Sequence, residues 1–191
     1  HMAVHGKDSL RPRRKEALPD AAYARCFTIP KGTMLGTMRA QSSNHDYVTL
    51  LDAISVLDDT GLRKAELISQ SDELFVQCMA WSDISFYFEG ITESNPTDEQ
   101  FSRFDNKCYL LVNPTNSKCD ATGETWGNHP MSIPYEKVTS NAVYRIIRRF
   151  KRLRVRALSR QQRKDMPLFG DVHGNAYTAS ALDRRHRALL K

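Results

Sequence analysis

A mainly α-helical α+β domain with a small three-stranded antiparallel sheet is the fold class predicted, and three observations predict it. Apolar residues recur at helical spacing before residue 60 and again after residue 140, the stretch between them changes to a period of two, and turn-forming residues separate the segments. With 191 residues, 40% hydrophobic and 26% charged, the chain has an ordinary globular composition and enough length to bury one substantial core.

Residues 1–20, with "RPRRKEALPD", are polar, basic and proline-bearing, and read as a linker or arm; the leading His-Met resembles a cloning remnant, so the natural ends are expected elsewhere. Order is expected from about Ala21, and residues 21–191 form the domain. Within "SSNHDYVTLLDAISVLDD", Ser43 and Asp46 suit a capping box, and Tyr47, Leu50, Leu51, Ile54 and Leu57 form a buried helical stripe. In "WSDISFYFEG", Ile84, Phe86 and Phe88 alternate with Ser85, Tyr87 and Glu89, which predicts a strand. "ITESNPTDEQFSRFDN" reads as turn-rich, "KCYLLVN" and "HPMSIPY" as two further strands joined by a long polar tip, and Pro130 and Pro134 place the last strand at an edge. Thr139, Ser140 or Asn141 can cap a long helix with an apolar stripe of Val143, Ile146, Ile147, Phe150 and Leu153, leaving Arg145, Arg148, Arg149 and Arg152 on other faces. A turn at "GDVHGN" precedes a last helix in "TASALDRRHRALLK".

The net charge of +6 hides an asymmetry: residues 145–164 carry ten Lys/Arg and no acid, so the rest of the chain is net negative. Such a concentration suits a polyanion contact, and a solvated helix face is the alternative. No apolar run is long enough to span a bilayer and no signal peptide is visible, so no membrane partner is expected. Four scattered cysteines (Cys26, Cys78, Cys108, Cys119) lack zinc-like spacing, which favours reduced thiols in an intracellular compartment, the nucleus if the source is eukaryotic and otherwise the cytoplasm. No metal and no cofactor is assigned. Walker A, GxSxG and HExxH patterns are missing from the chain, and its six histidines form no ligand cluster by spacing.

"DDTGLRKAEL" poses a sharper question. Asp58, Asp59 and Thr60 can accept hydrogen bonds at a helix start and Gly61 permits a turn, so Arg63 falls within an otherwise apolar run and needs an anionic partner. That partner is either a carboxylate of the chain, Glu66 or Asp59, or an external phosphate.

The order of parts, an apolar helix, "TGLRKAELISQ", "MAWSDI", a strand, and the lysine-bearing "NSKCDATGETWGNHPMSIPY", resembles the catalytic domain of the tyrosine recombinases, the phage integrase family, the last segment in a form similar to that of eukaryotic mobile elements of the Crypton kind. The resemblance runs from about Phe27 to the end. It implies that Arg63 grips the nonbridging oxygens of a scissile phosphate, where a planar fork of donors stabilises the pentavalent transition state, while a tyrosine hydroxyl attacks. It implies that Lys118 is the general acid for the departing 5′-oxygen, with an ordinary turn lysine as the alternative, and that Glu66 orients Arg63 or its helix. Lys64, Ser117, Lys118, Arg145, Arg148, Arg149 and Arg152 are the expected contacts to duplex DNA.

The family's second box, His-x-x-Arg, has no match: "HRAL" at 186–189 ends in leucine. Tyr135, Tyr144 and Tyr177 precede the position where the nucleophile belongs, so the chain is expected to stop upstream of that box, to hold an incomplete domain, and not to cleave DNA alone. The resemblance implies that an intact protein works as a homo-oligomer on DNA. A non-enzymatic DNA-binding module derived from a recombinase, or a basic protein-interaction domain, are the other readings.

Overall fold

The structure, a computed structural model, describes residues 20–62, 64–68, 78–113 and 130–190. Its elements, in order, are α1 (Asp20–Thr28), a short hairpin of β1 (Met34–Leu35) and β2 (Met38–Arg39), α2 (His45–Thr60) and α3 (Lys64–Leu67). There follow β3 (Ile84–Phe88), β4 (Ile91–Glu93), α4 (Asp98–Ser102), β5 (Tyr109–Val112), β6 (Met131–Pro134), α5 (Ala142–Arg152), α6 (Arg160–Asp165) and α7 (Ala179–Leu189). Mixed helix and antiparallel sheet is therefore the class, as expected.

α2 is the axis of the domain. From Thr49 through Val56 every residue is buried, so this helix is enclosed on all sides and not only along the apolar stripe. Asn44 is its N-cap, its side chain accepting from the Tyr47 amide at 2.9 Å, which replaces the expected Ser43 capping box. α2 also runs on through Asp58, Asp59 and Thr60, which end one helix instead of starting the next, and Gly61 closes it in the left-handed conformation (φ 77). The Asp59 carboxylate instead accepts from the Ala142 amide at 3.0 Å, capping the start of α5 beside the Asn141 side chain, which accepts from Tyr144.

The sheet has four strands, where three were expected, in the order β4-β3-β5-β6, all antiparallel. The additional strand lies in the stretch expected to be turn-rich. Glu89 (φ 49) and Gly90 (φ 80) form a two-residue turn with both φ positive, the geometry that folds a hairpin with native twist, so residues 91–93 return beside β3. β6, with Pro134, is an edge strand as expected. Ile84, Phe86, Phe88, Leu110, Val112 and Ile133 turn to the core, where Phe86 meets Phe101 and Phe150 edge-on at ring centroid distances of 5.0 and 5.9 Å. α5 thus packs against both α2 and the sheet, α2 also meets β6, and Phe150 packs against the buried Trp81.

Candidate nucleic-acid interface

The turn that leads to Arg63 is built from three residues with separate tasks. Gly61 takes the left-handed cap, the Thr60 hydroxyl accepts from the Leu62 amide at 3.2 Å, and Leu62 is buried. Leu67 and Ile68 are buried beyond it, so the segment is pinned on both sides of residues 63–66. Arg63 itself lies outside the described residues, as do Ser117 and Lys118, and so does the side chain of Glu66, although α3 carries its backbone.

Lys64 is described, and it is committed. Its ammonium pairs with the Asp183 carboxylate of α7, both half-buried, which ties α3 to α7. His186 lies one turn further along α7, its imidazole held below the usual range by burial and by the Lys64 charge.

β5 and β6 pair antiparallel with Val112 opposite Met131 and Tyr109 opposite Pro134. Residues 113–130, which contain Lys118, therefore leave and rejoin the sheet at adjacent positions. At the first end, the Asn113 amide donates to the Asp83 carbonyl at 2.8 Å. Asp83 caps its own 3-10 turn, accepting from the Ala80 amide at 2.8 Å, and burial pushes its carboxyl up.

The four arginines expected to face DNA divide. Arg149 is 1% exposed and belongs to the core, so its assignment to the DNA-facing set is corrected. Its guanidinium donates to the Leu168 carbonyl at 2.8 Å and the Thr49 hydroxyl at 2.7 Å, lies 3.5 Å from Asp52, and covers the Phe169 ring. Burial lowers its pKa to about 10 against the opposing pull of Asp52, so it stays charged at neutral pH. Arg145 is largely covered too: it pairs with Asp52 at 2.9 Å, donates to the Thr139 carbonyl at 2.9 Å and lies over Phe27. Arg152 reaches the same carboxylate at 3.5 Å from a more open position. Only Arg148 of the four is exposed with no carboxylate partner among the described residues, its guanidinium over the Tyr144 ring at 5.8 Å.

The physical reason is angular. Residues 145, 149 and 152 follow i, i+4, i+7 spacing, which is one face of a helix, and that face meets α2 at the fully buried Asp52. The same spacing could have been read from the sequence, together with Asp52 inside an otherwise apolar helix. Exposed cations of the basic run outside the expected set, Lys151, Arg154, Arg156, Arg160 and Lys164, supply charge on the surface.

Among the described residues no group of three His, Cys, Asp or Glu side chains is spaced to hold a metal ion, and no helix is long and apolar enough to cross a membrane. Cys26, Cys78 and Cys108 are buried. Comparison with protein-family models, with curated proteins and with solved structures found no match.

Proposed function

We propose that this chain is part of a tyrosine recombinase catalytic domain that binds duplex DNA, with Arg63 gripping a backbone phosphate, Lys118 serving as proton donor to a leaving 5′-oxygen, and Glu66 orienting the arginine. The observation that carries this reading is the pairing of β5 with β6 around the Lys118 connection, in a chain whose enclosed helix α2 ends in Thr60-Gly61-Leu62 directly before Arg63. A lysine between two paired strands and an arginine after a tight helix stop are residue types that a phosphoryl-transfer site needs, a proton donor and a planar fork for phosphate. The chemistry requires a nucleophile that this sequence does not supply, since the His-x-x-Arg box and its following tyrosine have no match in it.

The test is duplex binding followed by fluorescence anisotropy across a salt series. Affinity falls steeply with salt, Arg148→Gln reduces the salt slope by about one phosphate contact, and Arg63→Ala weakens binding further. Incubation with a nicked duplex gives no covalent protein–DNA adduct. A flat salt dependence would remove DNA as the partner, and a covalent adduct would overturn the incomplete-site reading.

The exposed cations without carboxylate partners favour one second reading, a DNA-binding module without chemistry. In a longer protein that supplies the missing box and tyrosine, strand cleavage abolished by Arg63→Ala supports the enzyme, and no cleavage by the unsubstituted protein supports the module.

A further inference from the structure

Beyond the end of α5 the chain forms an open groove that the proposed DNA chemistry does not use. Arg154 leaves the helix in the left-handed conformation (φ 52, ψ 36), and one 3-10 turn at Val155–Ala157 follows. Opposite runs the segment from Pro96 to Asp98. Between them is a groove of about 440 Å³, with Phe150 and Pro96 as its apolar lining and Lys151, Arg154, Arg156 and Asp98 as its charged lining.

Three cations against one carboxylate leave the groove a surplus of two positive charges. Among the described residues, no carboxylate lies within 4.0 Å of the Arg154 or Arg156 guanidinium. Lys151 has a partner, Asp98 at 3.1 Å, but that carboxylate is 81% exposed, so the pair is solvent-screened and open to competition. Cations in the last turn of a helix also offset its C-terminal carbonyls, which accounts for Lys151 and Arg152. Arg154 and Arg156 stand past that turn, where the carbonyl field has faded, and they line the groove.

We propose that this groove binds a small phosphate-bearing anion with at least two negative charges, of which a diphosphate can engage both guanidinium groups at once. Its volume falls within the roughly 300–1,000 Å³ range of small-molecule sites. Two guanidinium forks suit phosphate oxygens geometrically, and Phe150 and Pro96 give the groove an apolar floor beneath them. The site is separate from the Arg63 turn. Asp59 at the end of α2 caps the first residue of α5, so that turn adjoins one end of α5 and the groove adjoins the other, about 16 Å away at 1.5 Å per residue. The proposal therefore holds whether or not the chain is a recombinase.

Inorganic pyrophosphate titrated into the full chain, followed by calorimetry and amide NMR, tests it. The expected result is saturable one-to-one binding, with amide shifts confined to residues 96–98 and 150–157. Arg154→Asn with Arg156→Gln, asparagine being chosen because it tolerates the left-handed conformation, weakens binding by roughly tenfold or more. Asp98→Asn frees Lys151 and tightens binding a few-fold, a gain that misfolding cannot imitate. Arg160→Gln with Lys164→Gln, exposed cations outside the groove, changes affinity by less than about twofold. No saturable binding, or an equal loss in the Arg160/Lys164 variant, overturns the proposal. So does displacement of bound duplex by pyrophosphate together with an equal loss of duplex affinity in the Arg154/Arg156 variant, since the groove would then be holding DNA backbone.

Discussion

One face of α5 carries Arg145, Arg149 and Arg152 against the buried Asp52 of α2, while the end of the same helix gives Lys151, Arg154 and Arg156 to an open groove. The residue types are nearly the same and the sequence separation is a few positions, yet the physical roles are opposite. At the inner face Arg149 has left water and Arg145 largely so, and the desolvation is offset by the shared Asp52 carboxylate and, for Arg149, by the Thr49 hydroxyl and the Leu168 carbonyl. At the outer end the charges keep their hydration and little of the fold depends on them. A basic run is thus two populations, one spent on joining helices and one available to a ligand.

The largest expected effect comes from breaking the inner population. Asp52→Ala strands Arg149 without its carboxylate in the core and should destabilise the fold by about 3–5 kcal/mol, measured by urea denaturation. Arg149→Met in the same background should recover part of that loss, because a double-mutant cycle removes the orphaned charge along with its lost partner. Additive losses would mean that Arg149 does not act through Asp52.

An intermediate effect is expected where a network is half covered. Burial acts to raise the Asp46 carboxyl, but hydrogen bonds from Tyr177 and Arg185 outweigh it and hold the group below its ordinary range. Its folded pKa lies below its unfolded one, so its contribution is present above about pH 4 and is lost as pH falls through the folded value. Tyr177→Phe should flatten the acid-side loss of stability between about pH 5 and pH 2 relative to the unsubstituted chain. An unchanged acid limb would assign that loss to other carboxylates.

The smallest effect belongs to the outer population. Asp98→Ala, which removes the exposed partner of Lys151, should change stability by less than about 0.5 kcal/mol. A shift as large as that of Asp52→Ala would erase the distinction between the two ends of α5.

Much of the fold was legible because its periodicities are local. The apolar spacing of α2 and α5, the alternation in β3, the capping asparagine of α5 and the prolines of an edge strand each act over a few residues. α1 was not legible: nine residues with Tyr23 and Phe27 as anchors have no long stripe, and the helix is tied down by remote contacts such as the Tyr23 hydroxyl donating to the Ser140 carbonyl. β4 is three residues long, too short to alternate visibly, and owes its existence to the Glu89-Gly90 turn and to pairing with β3. Around the candidate site, Gly61 makes the expected turn but Asp58 to Thr60 end a helix instead of starting one, and of the α5 arginines expected to face DNA, Arg149 is buried.

By itself, the sequence determined that residues 145, 149 and 152 share a helical face and that 142–153 would form an amphipathic helix, because backbone geometry sets those angles without reference to any neighbour. Which face would be buried was decided by tertiary structure. An arginine stripe is a surface until a carboxylate is brought against it across about a hundred residues of chain, and the packing of α5 on α2 supplies Asp52 there.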